Sequence, residues 1–148
     1  MQTFTFTAEQ LLPQPRAEIF PFFADAANLE ALTPPWVNFH IVTPQPIEMR
    51  VGALIDYRLR IHGLPVRWRT RITAWEPPFR FIDEQLHGPY RLWVHEHTFE
   101  PHAQGTLARD HVQYAPLGGA LINRLFVRRD IERIFAYRAE ALRRQFPG

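Results

Sequence analysis

The residues best equipped for chemistry lie together in Gly88-Pro89-Tyr90-Arg91-Leu92-Trp93-Val94-His95-Glu96-His97-Thr98-Phe99. Read as a β-strand, this stretch alternates its side chains between two faces. Trp93, His95, His97 and Phe99 then share one face, with Leu92, Val94, Glu96 and Thr98 on the other. Two imidazoles between aromatic residues suit the wall of a cavity that holds something partly polar. A histidine oriented by a carboxylate is the base half of an acid–base catalyst. Two histidines two residues apart, with Asp110 as third ligand, also make a possible two-histidine one-carboxylate metal site. The favoured arrangement is two hydrogen-bonded pairs, Asp83 with His95 and Asp110 with His97, holding no metal and needing no cofactor. The chain contains no serine and no cysteine, which excludes a Ser-His-Asp triad, a thiol nucleophile and a thiolate metal site.

The elements that must position these residues are legible as a meander. Strand-like runs cover Leu54 to Ile61, Val66 to Ala74, Phe79 to Leu86, Tyr90 to Glu100 and Thr106 to Ala115. Each is separated from the next by Gly- or Pro-containing turns, and connections this short force antiparallel neighbours. Opposed residues share a face, so turn lengths give a register map. Tyr57 is expected opposite Thr70, Leu59 opposite Trp68, Thr70 opposite Asp83 and Trp68 opposite Gln85. Further along, Gln85 is expected opposite Trp93, Asp83 opposite His95, Phe81 opposite His97, His97 opposite Asp110 and Trp93 opposite Tyr114. The face so defined carries the candidate ligand-binding residues Tyr57, Trp68, Thr70, Phe81, Asp83, Gln85, Trp93, His95, His97, Asp110 and Tyr114. A mostly apolar lining with few placed polar groups is the usual composition of a small-molecule site. The opposite face carries Asp56, Arg58, Arg60, Arg67, Arg69, Arg71, Glu84, Glu96, Arg109 and Gln113, a solvated surface.

Before the meander, Thr3 to Leu12 alternates like a strand, and Arg16 to Ala24 reads as a short helix disturbed by Pro21. Asp25 is placed to cap a second short helix over Ala26 to Leu32, and Trp36 to Thr43 reads as a strand. After it, Ala120 to Phe146 lacks Gly and Pro and repeats Leu121, Leu125, Ile131, Ile134, Phe135, Leu142 and Phe146 at helical spacing. That stripe falters near Arg128-Arg129. One long amphipathic helix must lay its apolar face on the sheet.

The 148 residues suit one domain, 1–148, with a core that needs no covalent staples. No run is long enough to span a bilayer and no signal peptide is evident, so a cytoplasmic location is the expectation. All 17 basic residues are arginine against 15 acidic ones, a net charge of +2. That balance does not call for nucleic acid as a partner.

Phe20-Pro21-Phe22-Phe23, Asn28-Leu29-Glu30, Thr33-Pro34-Pro35-Trp36, Asp83-Glu84-Gln85 with Gly88-Pro89-Tyr90, Trp93 to Phe99, Gly105-Thr106 and Asp110-His111-Val112-Gln113-Tyr114 together resemble the SRPBCC superfamily. That group is START-like, Bet v 1-like and polyketide cyclase/dehydrase-like, and the likeness runs from about Phe4 to Leu142, strongest to its bacterial ligand-binding branch. The resemblance implies an α+β helix-grip fold, a curved antiparallel sheet wrapped around a long C-terminal helix with two short helices closing one end. It also implies a cavity for a small hydrophobic or amphipathic ligand. The leading expectation is therefore a carrier or sensor of such a molecule. An enzyme of the cyclase, dehydratase or aromatase type is the alternative, with His95 or His97 as general base oriented by Asp83 or Asp110. An interaction domain with a vestigial cavity is a third reading.

Overall fold

A computed structural model describes every residue from Met1 to Gly148. Seven antiparallel strands form one sheet in the order β1-β7-β6-β5-β4-β3-β2. They are β1 (Phe4–Leu12), β2 (His40–Ile41), β3 (Leu54–Ile61), β4 (Leu64–Glu76), β5 (Arg80–His87), β6 (Leu92–His102) and β7 (Gly105–Ala115). Helices α1 (Arg16–Ala24) and α2 (Asn28–Ala31) follow β1, and α3 (Gly119–Ile122) passes through a π-helical stretch, Asn123–Val127, into α4 (Arg128–Gln145). The sheet grips this C-terminal helix, the helix-grip architecture.

The expected register holds where the side chains of interest lie. Asp83 faces His95 and Phe81 faces His97 across β5–β6, while His97 faces Asp110 and Trp93 faces Tyr114 across β6–β7. Elsewhere it slips by two residues. Tyr57 pairs with Trp68, and Ile55 with Thr70, because His62 and Gly63 both take positive φ and make a two-residue turn in place of the four-residue turn expected. Thr70 pairs with Gln85 and Ile72 with Asp83, and a bulge before Ala74 shifts the rest of β4 against β5. A slip of two preserves the face of every side chain, so Ile55, Tyr57, Thr70, Ile72, Phe81, His95, His97 and Val112 are all buried beneath the helix.

Two expectations change. Trp36 to Thr43 is not one strand: Pro35–Val37 is a single 3-10 turn, closed at left-handed Asn38, and only His40–Ile41 pairs, with β3. The C-terminal helix is continuous, but Leu121 and Leu125 lie in the open; burial begins in earnest at Ile131 and continues through Phe135, Arg138 and Leu142. The π-helical stretch inserts a residue into the helical phase, which rotates the earlier apolar stripe away from the sheet. Asn123, within that stretch, is buried and accepts a hydrogen bond from the Tyr114 hydroxyl at 2.7 Å.

Candidate functional site

Strand β6 sends His95 and His97 inward between β5 and β7, and the two imidazoles stack with centroids 3.7 Å apart. His97 stacks in turn on Phe81 at 4.0 Å. The hydrogen bonds correct the expected pairing. His97 donates from Nε2 to Asp83 at 2.7 Å and His95 donates from Nε2 to Asp110 at 2.7 Å, each reaching the diagonal carboxylate instead of the one opposite. Only the Nδ1 atoms face the opposed acids, His95 at 3.9 Å from Asp83 and His97 at 3.4 Å from Asp110. Diagonal neighbours remain within reach of long side chains in an antiparallel sheet, and the rings lean along the strand to get there.

A fifth residue, an arginine, completes the group. Arg138 of α4 is only 7% exposed and sets its guanidinium near the Phe23 and Phe135 rings. One terminal nitrogen lies 3.4 Å from both His97 Nδ1 and Asp110 Oδ1, while Nε has no partner within the protein. The hydrogen-bond pattern assigns the His97 tautomer: Nε2 carries the proton given to Asp83, so Nδ1 accepts from Arg138. Burial, reinforced by the neighbouring His95, pushes His97 down to about 4. Burial opposes ionisation of Asp83, but the His97 hydrogen bond and the His95, His97 and Arg138 charges outweigh it and lower its carboxyl. Asp110 is held well below the usual carboxylate range in the same way, with Arg138 and the His95 hydrogen bond overcoming burial. Two ionised carboxylates thus share one buried guanidinium.

Beside this group is a small cavity of about 60 Å³. Apolar wall comes from α1 (Phe22 and Phe23), from α2 and the residue after it (Leu29 and Leu32) and from Ile55, Tyr57, Ile72 and Phe81 of the sheet; Asp83, His97, Arg138 and Asp25 supply charged or polar atoms. Burial and the charge of Asp83 push the Tyr57 phenol well up, so it stays a neutral wall. Of the sequence candidates, Tyr57, Phe81, Asp83 and His97 therefore meet at this cavity. His95 and Asp110 stand one layer behind, and Asp110 borders a much smaller void on the far side of Arg138.

The remaining candidates lie elsewhere. Trp68 and Trp93 meet edge-on at 5.4 Å and pack with Tyr90, while Tyr90 and Trp93 approach Tyr114, forming an aromatic plug toward the β5–β6 turn. Thr70 accepts from the Trp68 indole N–H at 3.1 Å. Gln85 pins the β5–β6 turn through both backbone groups of Tyr90, at 2.8 Å and 3.2 Å. Arg138 was missed because an arginine within an apolar helix reads as solvent-facing. Its signal was positional, since Ile131, Phe135, Arg138 and Leu142 step along one helix face. On the outer face Arg69 takes Asp56 through two bonds, at 2.8 Å and 3.1 Å.

Asp83, His95 and His97 can bring one ligand atom each within 4.8 Å of one another, so the carboxylate of that triad is Asp83 where the sequence suggested Asp110. The chemistry around them disfavours a divalent ion. Both Nε2 atoms are committed to separate carboxylates, and a guanidinium occupies the side of His97 that a cation would have to enter.

Comparison with known proteins agrees with this architecture. The structure of CV1439 from Chromobacterium violaceum is similar with a TM-score of 0.76 at 14% identity, covering 97% of this chain and 98% of that one. Ginseng major latex-like protein 151 from Panax ginseng gives 0.72 at 10% identity, covering 99% of each chain. Mll3558 from Rhizobium loti gives 0.70 at 20% identity, covering 95% of this chain and 97% of that one. At such identities the likeness shows the fold alone, and no curated protein sequence matches the chain. A family model matches residues 12–140, and with the helix-grip fold it places the chain in the SRPBCC superfamily, as a member of the family described as polyketide cyclase / dehydrase and lipid transport.

Proposed function

We propose that this protein binds a small amphipathic molecule, aromatic or otherwise flat, in the cavity between α1–α2, the sheet and α4, as a carrier or sensor. The carrying observation is the convergence of Asp83, His97 and Arg138 on an apolar cavity. Folded proteins seldom leave a buried guanidinium nitrogen without an acceptor. Arg138 offers a donor, and Asp83, the most accessible acid of the group at 21% side-chain exposure, offers an acceptor. A neutral ligand having a carbonyl for Arg138 and a hydroxyl for Asp83 matches this donor and acceptor. The cavity is smaller than the roughly 300–1,000 Å³ typical of drug-sized ligands. It takes a ring or head group as it stands, and a larger body requires the α1–α2 wall to move outward.

The enzymatic reading is favoured by one specific feature, a neutral imidazole hydrogen-bonded to an ionised carboxylate at a cavity wall. In this geometry His97 has both nitrogens engaged, so Asp83 is the better base, with His97 positioning it and Arg138 polarising a carbonyl. Calorimetric titration with 4-hydroxyacetophenone, which carries both groups, tests the binding. Asp83→Asn is expected to weaken it about threefold to tenfold, the worth of one hydrogen bond. Glu96→Ala, on the opposite face of β6 and paired with Arg80, is expected to leave it unchanged. Proton exchange at the ligand's methyl ketone, followed by NMR and lost in Asp83→Asn, would favour the enzyme.

A further inference from the structure

We infer that one end of the molecule, formed by the β3–β4 and β5–β6 turns and the start of the C-terminal helix, docks on an anionic lipid surface. Alternate connections of a meander fall at alternate ends of the sheet, so the turns after β3, β5 and β7 lie together. The third leads into a helix start that nothing covers: Leu117, Leu121, Ile122, Leu125 and Phe126 are exposed, Leu121 by 57% and Phe126 by 52%. Leu64, at the tip of the β3–β4 turn, is 69% exposed. Contiguous apolar surface of this kind marks an interaction site, unlike single scattered residues.

Charge decides the partner. From His111 to Arg129 there is no acidic residue, while Arg124 and Arg129 border the apolar stretch; Arg128 beside them is held by Glu132 at 3.1 Å and by the Thr5 carbonyl at 2.9 Å. The first acid after it, Asp130, is taken up by His62 at 2.8 Å. An apolar helix start with an arginine fringe matches the boundary between acyl chains and anionic headgroups. A second copy fits poorly, because a two-fold contact would press the arginine fringe onto itself. Nucleic acid fits poorly because the centre of the patch is apolar.

The same end holds a hollow of about 270 Å³ between Trp36, His62-Gly63, Tyr90 and Arg133. The His62–Asp130 hydrogen bond joins the turn to the helix beside it. Docking would set this hollow against the lipid; docking itself does not rest on the proposed cavity function.

Co-sedimentation with phosphatidylcholine vesicles, with and without phosphatidylglycerol, tests the inference on the full chain. The protein should pellet with the anionic vesicles, much less with neutral ones, and less as salt rises. Leu121→Asp and Phe126→Asp should each reduce partitioning at least about tenfold, and Arg124→Glu with Arg129→Glu should do the same. Phe79→Asp, an exposed residue in the turn at the opposite end, should change nothing. Far-UV dichroism checks that each variant is folded. No binding to anionic vesicles, or binding that survives Leu121→Asp and Phe126→Asp, overturns the proposal. So does a concentration-dependent dimer abolished by Leu121→Asp in a protein that ignores vesicles. Leu121→Asp should still bind 4-hydroxyacetophenone, so failure of docking and failure of the cavity reading are told apart.

Discussion

At the scale of single residues, the buried charges make stability depend on pH. His97 titrates near 4 in the folded chain and near 6.5 in the unfolded one. Between those values the unfolded state binds more protons, so its contribution is fully present above about pH 6.5 and is lost as pH falls toward about 4. The amount is on the order of 3 kcal/mol. Asp83 and Asp110, both lowered, extend the loss below the ordinary carboxylate range. Urea midpoints across this window should fall with pH, and His97→Gln should flatten the slope between about pH 6.5 and pH 4; an unchanged slope would mean that His97 is already charged in the native state. Arg138→Ala strands Asp110 beside His95 without its guanidinium, and removing one partner of a buried ion pair costs about 3–5 kcal/mol. Asp110→Asn introduced into Arg138→Ala should recover part of that loss, read from denaturation midpoints. Arg138 itself was not legible, because helical periodicity says which residues share a face but not that a guanidinium on the apolar face will be accepted by a histidine and a carboxylate from the sheet.

At the scale of elements, the helix and the sheet depend on contacts that cross between them. Phe135 packs on Phe6 with ring centroids 4.9 Å apart and approaches His95 at 5.6 Å. Phe135→Ala should cost about 3–5 kcal/mol in chemical denaturation; an unchanged midpoint would take α4 out of the core. Tyr114→Phe leaves the buried Asn123 carbonyl oxygen without its donor and should cost about 1–3 kcal/mol, loosening the π-helical stretch. Much of this level was readable. Turn lengths placed β5, β6 and β7 in their observed register, and each strand run of the meander from β3 to β7 fell within a few residues of its place. The His62-Gly63 turn was not readable, since its left-handed histidine lacks the Asn-Gly or Asp-Gly pattern of such turns, nor was the bulge before Ala74, which leaves no mark in a run of alternating residues. The expected Asp–His pairs failed for a related reason. Register fixes which Cα atoms oppose each other, whereas an imidazole long enough to reach the next row chooses its partner by the lean of its ring.

At the scale of the whole molecule, sequence motifs and three-dimensional architecture agree on the helix-grip fold, and no helix is long and apolar enough to cross a membrane. The aromatic residues divide their work. Trp68, Trp93, Tyr90 and Tyr114 close one end of the interior, while Phe22, Phe23 and Phe81 surround the cavity. Trp75 packs on Phe81 of the cavity wall at 5.4 Å, and its fluorescence should respond to binding more than that of Trp68 or Trp93 in single-tryptophan variants. The central claim is that Asp83, His97 and Arg138 recognise the polar end of a small molecule inside this cavity. Its most direct test is one calorimetric series with 4-hydroxyacetophenone on the unaltered protein, Asp83→Asn and Glu96→Ala. Saturable binding that weakens about threefold to tenfold in Asp83→Asn and holds in Glu96→Ala is the predicted result; equal heats from all three proteins would contradict it.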